Sequence, residues 1–163
     1  MTLADVNAYE RAGFVEKVGW VFEHSPWVAE RAWAKKPFRS LDELHAAMTA
    51  EVAAASPDEQ LLLLQAHPDL GTRANMSTAS TSEQAGAGLD SLTDEELERL
   101  GRLNAAYRDS FGFPFLYAVK RSTKRDILRA LKARLPSSRE QELAEALHQV
   151  ARIARFRLEE LIS

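Results

Sequence analysis

The sequence predicts an all-α fold, and three observations carry that prediction. Hydroxyl residues recur three positions before an acid or amide, apolar residues between these marks keep a helical period, and no segment sustains strand alternation. The marks are spaced for about seven to nine helices forming a single domain over residues 1–163.

Along the chain, Ser25-Pro26 marks an early helix start, because proline's fixed φ suits the first helical position. Ser40 with Glu43 and Ser56 with Glu59 have capping-box spacing, the second strengthened by Pro57. The run Leu61 to Leu64 continues that second helix until Pro68, which disfavours helical geometry at His67 and predicts a stop there. Ser80 with Glu83 and Thr93 with Glu96 predict two further starts. Beyond Thr93, Leu97, Leu100, Asn104, Tyr107 and Phe111 hold the helical period until Gly112. Ile127, Leu128, Leu131 and Leu135 repeat it before Pro136, and Ser138 with Gln141 opens a last helix reaching Leu161. Phe113 to Val119 looks strand-like but stands alone, so it is expected to be an irregular buried connection. Trp20, Trp27, Trp33, Phe14 and Phe22 are expected in the core rather than as a stacking platform.

Composition narrows the function classes. The 21 basic and 24 acidic residues give a net charge of -3, which supplies no overall attraction to nucleic acid or an anionic membrane but leaves small neutral or anionic ligands open. The four neighbouring cations Lys120, Arg121, Lys124 and Arg125 read as a solvated face, with no nucleic-acid motif beside them. Zero cysteines remove disulfides, thiolate zinc sites and thiol nucleophiles. Spacings for dinucleotide, P-loop, metalloprotease, EF-hand and serine-hydrolase motifs are absent, and no metal is expected. The start MTLADVNAYERAGF has no basic region followed by an apolar run, and no stretch approaches the roughly 20 apolar residues of a membrane span, so a cytoplasmic protein is expected.

Three residues stand out on position alone. Arg157 falls inside the apolar stripe of the last helix, formed by Leu143, Ala146, Leu147, Val150, Ile153, Ala154 and Leu161, and a core-facing guanidinium must find either an internal carboxylate or an anionic ligand. His67, at the end of an apolar helix, either caps the last carbonyls or serves proton transfer near neutral pH; His148 and His24 read as surface and loop residues, and His45 flanks its helix face. Glu83 is either the far end of a capping box or a functional carboxylate, and the small residues Gln84-Ala-Gly-Ala-Gly88 after it permit close backbone approach.

The ordered set SPWVAERAW, KPF, AHPDLG, STSEQAGAGLD, LNAAY, FGFPF and IARFRL, spanning nearly the whole chain, resembles the 2-oxo-4-hydroxy-4-carboxy-5-ureidoimidazoline (OHCU) decarboxylases of urate degradation. The resemblance implies an all-helical, commonly dimeric, cofactor-free enzyme that converts OHCU to (S)-allantoin. It implies catalytic roles for His67, as proton donor, and Glu83. It implies substrate contacts from Pro68, Ser80, Glu83, Gln84, the backbone of Phe115, Leu116, Tyr117, Ala118 and Val119, and Arg157. The chain ends Leu-Ile-Ser, without the Ser-Lys-Leu signal of some eukaryotic relatives, which again favours the cytosol. The alternative is a diverged helical ligand-binding or protein-interaction module on the same scaffold. Closure around residues 71–79 and the dimer interface belong to the tertiary structure.

Overall fold

Nine α-helices and two 3-10 turns, with no strand, are present among the described residues, 1–71 and 77–163, of the computed structural model. Part of the 71–79 connection, residues 72–76, therefore lies outside the described residues. Two units emerge, residues 1–66 with 151–163 and residues 67–150. Among the described residues no helix is long and apolar enough to cross a membrane.

The first unit holds α1 (Leu3–Ala8), α2 (Arg11–Val18), α3 (Trp27–Ala32), α4 (Leu41–Ala54), α5 (Pro57–Gln65) and the last turns of α9 (Arg139–Leu161). Short 3-10 turns at Gly19–Val21 and Trp33–Lys35 follow α2 and α3. The helix α3 packs on α2 and α4, and Phe14, Phe22, Val28, Leu44 and Met48 are buried. The Ser56 box opens α5 with Pro57 in its first turn, as the spacing predicts. Ser40 caps α4 through the Glu43 amide, but the Glu43 carboxylate accepts from the Arg39 amide instead of closing a box. At α3 the expectation shifts by one residue: Pro26 occupies the cap position, and Ser25 donates its hydroxyl to the Glu23 carbonyl rather than capping. Trp20, in the first 3-10 turn, is 39% exposed, against the core expectation, because its indole N–H turns back to the Lys17 carbonyl at the end of α2. Trp33 is half-buried, its indole N–H on the Tyr9 carbonyl and its ring flanked by Arg11 and Lys36.

The second unit holds α6 (Thr78–Gly86), α7 (Asp94–Phe111), α8 (Lys124–Arg134) and the first turns of α9. Leu100, Asn104, Tyr107 and Phe111 are buried on one face of α7, whereas Leu97 is 44% exposed. The left-handed Gly112, φ +82°, ends that helix, a conformation that needs no Cβ. Residues 113–119 then run irregular and largely buried to α8, as expected of this isolated apolar run. Reciprocal bonds between Ser138 and Gln141 open α9 where the spacing places it.

A buried polar node joins three of these helices. The Tyr107 hydroxyl donates to Glu142 Oε1 at 2.6 Å, and Arg134 Nε donates to the same oxygen at 2.7 Å. Burial and the bond to Glu142 push the Tyr107 hydroxyl well above the ordinary tyrosine range.

At α6 the Ser80–Glu83 spacing does not start the helix. Ser77 caps α6, its hydroxyl accepting from the Ser80 amide at 3.1 Å, so Ser80 lies inside the first turn.

The Thr93 box has an electrostatic consequence. Glu96 accepts from Lys124 Nζ at 2.8 Å and from the Thr93 amide at 3.0 Å, and the lysine, then the amide, hold its carboxyl down to about 2. A depressed folded-state pKa contributes stability that is fully present above the ordinary carboxylate range and is lost as pH falls through about 2. Titration of the Glu96 carboxyl carbon by NMR is expected to give that low midpoint, and Lys124→Met to move it up toward about 4.3. An unmoved midpoint in the variant would remove Lys124 as the cause.

Candidate active site

The local path of the chain at His67 follows from its neighbours. The Ala66 amide closes α5 on the Leu62 carbonyl at 2.9 Å, and Pro68 then turns the chain out of helical geometry. His67 is only 6% exposed and its Nε2 is shielded from solvent, while Pro68 is half-buried. The rest of HPDLG is pinned from α7: Asn104 Nδ2 donates to the Leu70 carbonyl at 2.9 Å and Arg108 pairs with Asp69 at 2.8 Å.

Gly71 explains the last letter of that motif. Its φ is +78°, and a Cβ there would strike the Leu100 side chain. Its amide donates to Gln84 Oε1 at 3.0 Å, so the HPDLG and SxxEQ motifs are bonded to one another. The start of α6 at Ser77 decides what the second motif presents. Ser80 and Gln84, one turn apart, lie on the buried face, and Glu83 between them is half-buried. Because Ser77 and not Ser80 is the cap, the capping-box reading of Glu83 is overturned. The small residues after Gln84 do not serve close approach at Gly86, where an added Cβ would meet nothing within 4 Å.

The backbone of residues 115–119 is held from two directions. Arg134 Nη1 donates to the Leu116 carbonyl at 2.6 Å, with its guanidinium 4.5 Å from the Phe115 ring centroid. Gln149 Oε1 accepts from the Ala118 amide at 2.9 Å. His67, Pro68, Ser80, Glu83, Gln84 and residues 115–119 all belong to the second unit. Among the described residues no group of three or more His, Cys, Asp or Glu side chains stands where it could hold a metal.

Arg157 belongs to the first unit and is 3% exposed, as its place on the stripe predicts. Its Nη1 donates to the Trp20 and Val21 carbonyls at 3.3 and 3.4 Å, and its Nη2 lies 3.5 Å from Glu23 Oε2, itself buried. Of the two expected solutions, the internal carboxylate is therefore present. His148 and His24 are exposed, His24 with φ 48°, and His45 is bonded to the Ala151 carbonyl at 2.8 Å. Lys124 of the basic cluster is committed to Glu96.

Sequence reasoning missed Ser77, Arg134, Glu142, Gln149 and Glu23. Ser77 was legible as the first serine of Ser77-Thr-Ala-Ser80, outweighed by the acid three places after Ser80. Glu142 and Gln149 sit near the margin of the α9 stripe at about 100° per residue, where polar residues attract no notice. Glu23 and Arg134 carry no sequence signal, since their partners are distant along the chain.

The sequence model of OHCU decarboxylase matches residues 7–159. The chain belongs to the OHCU decarboxylase family. It is 48% identical over 161 residues to the 2-oxo-4-hydroxy-4-carboxy-5-ureidoimidazoline decarboxylase of Halalkalicoccus jeotgali, covering 99% of this chain and 92% of the relative. It is also 48% identical over 162 residues to the uric acid degradation bifunctional protein PucL of Bacillus subtilis, covering 99% of this chain but only 33% of that protein. The crystal structure of an (S)-allantoin synthase superposes with a TM-score of 0.82 at 39% identity, covering 99% of this chain and 54% of that one. The chain thus spans about a third of the bifunctional protein, about half of the (S)-allantoin synthase chain, and nearly all of the Halalkalicoccus jeotgali decarboxylase.

Two stability measurements test the local assignments. Ser77→Ala is expected to cost about 1 kcal/mol in thermal or urea unfolding, and Ser77→Asp only a few tenths, because aspartate also caps; equal losses would remove the cap. Glu23→Ala is expected to cost about 3–5 kcal/mol by stranding the buried guanidinium of Arg157. A loss below about 1 kcal/mol would mean that Glu23 is not what compensates that charge.

Proposed function

We propose that this chain decarboxylates OHCU to (S)-allantoin in urate degradation, with His67 and Glu83 as the catalytic residues. Membership of the OHCU decarboxylase family across residues 7–159 carries the proposal. Its structural support is the bond between Gly71 and Gln84, which ties the strand of chain bearing His67 to the helix bearing Ser80, Glu83 and Gln84.

The residue types suit the reaction. In OHCU the carbon that loses CO₂ adjoins a ring C=N bond, so the electron pair of the breaking C–C bond passes into the substrate's own ring and no external electron sink is needed. The protein has to hold the substrate, manage the proton of the neighbouring hydroxyl, and protonate one face of the enol-like intermediate. His67 carries the proton transfers, since imidazole works as acid or base near neutral pH. Glu83 orients His67 or bonds the hydroxyl and ureido groups. Ser80 and Gln84 bond amide edges, Pro68 lines the site, and the peptide groups of Phe115, Leu116, Tyr117, Ala118 and Val119 contact the substrate. Arg157, held by Glu23, supplies a charge-assisted anchor. The enzyme works without a cofactor, in the cytoplasm, as one domain and as a homodimer.

The test follows allantoin formation by circular dichroism with OHCU generated in situ from urate, because spontaneous decay gives racemic product. Wild type is expected to give a fast (S)-allantoin signal, and His67→Asn to lose about 10²–10⁴-fold in rate with unchanged helix content. Glu83→Gln is expected to fall as well, and wild-type turnover in that variant would remove Glu83 from catalysis. No wild-type signal above background would favour a diverged ligand-binding or interaction module.

A further inference from the structure

The irregular run 113–119 poses a physical difficulty, because a buried segment outside helix and sheet must satisfy its peptide groups by other means. Two side chains from later helices meet part of that demand. Arg134 of α8 donates to the Leu116 carbonyl and, through Nε, to Glu142, so one guanidinium bridges the segment to a buried carboxylate. Gln149 of α9 accepts from the Ala118 amide while its Nε2 donates to Glu145 at 2.8 Å, which fixes the orientation of the amide group. The Phe115 ring lies under the Arg134 guanidinium and edge-on to Tyr107 at 5.4 Å. Among the described residues no hydrogen bond reaches the peptide N–H or C=O of Phe115 or Tyr117.

We infer that Gln149 and Arg134 are positioning residues for the substrate: by occupying the Ala118 amide and the Leu116 carbonyl, they set the conformation in which the neighbouring peptide groups face a ligand. This inference rests on the decarboxylase reading and on the substrate contacts proposed for residues 115–119. Neither side chain touches the reacting atoms. Their effect is on how well the segment is organised to bind, so it falls on KM more than on kcat.

The test uses Gln149→Met, which keeps the side-chain length and removes the acceptor, and the exchange pair Glu145→Gln with Gln149→Glu, which restores an acceptor for Ala118 and a donor between the two side chains. Steady-state kinetics from the dichroism assay are read beside amide hydrogen exchange at Ala118. Gln149→Met is expected to raise KM about tenfold with a smaller change in kcat and to speed Ala118 exchange, the loss of one buried hydrogen bond being about 1.4 kcal/mol. The exchange pair is expected to return KM to within about threefold of wild type. Arg134→Lys, which keeps the charge beside Glu142 but not the two-directional fork, is expected to raise KM in the same way and serves if Gln149→Met does not fold. An active wild type with an unchanged KM in a folded variant whose Ala118 exchange has quickened overturns the positioning role and leaves the decarboxylase reading standing. A wild type without stereospecific activity removes that reading and the inference with it.

Discussion

Burying the Glu142 carboxylate obliges other elements of the second unit to come to it. An ionised carboxylate out of water is costly unless its lone pairs are taken up, and here Tyr107 from α7 and Arg134 from α8 both donate to one oxygen. The arginine in turn holds the Leu116 carbonyl, so this one carboxylate of α9 organises two helices and the irregular run between them. The aromatic residues Phe111, Phe113 and Phe115 pack around the Tyr107 ring with centroids 4.5 to 6.0 Å away, which keeps water from the node and strengthens its electrostatics.

The first unit shows the same logic on a smaller scale. Arg157 is buried on its stripe beside Ala154, and it is tolerated there because Glu23 and the Trp20 and Val21 carbonyls face it. The 3-10 turn after α2 is thereby useful: leaving α-helical geometry exposes backbone carbonyls that a guanidinium can reach. In both units an arginine bonded to main-chain oxygen fixes chain that regular secondary structure does not.

A hydrogen bond couples HPDLG to SxxEQ in this fold. The glycine supplies a left-handed turn with no room for a side chain, its amide meets Gln84, and Asn104 holds the preceding carbonyl. Part of each motif therefore serves geometry, Gly71 in the first and Gln84 Oε1 in the second.

The sequence by itself determined the helical class, most of the helix starts, the stop before His67, the buried irregular run 113–119 and the burial of Arg157. Each follows from near-neighbour rules, in which a cap, a proline or a period acts within one or two turns of chain. Only the tertiary structure decided that Ser77 rather than Ser80 caps α6, because two serines three apart compete and the burial of Ser80 and Gln84 selects the register. Only the tertiary structure revealed Glu142, Gln149 and Glu23 as partners, because a buried charge or amide finds its complement in space: Glu142 meets Tyr107 from 35 positions away, and Arg157 meets the Trp20 carbonyl from 137.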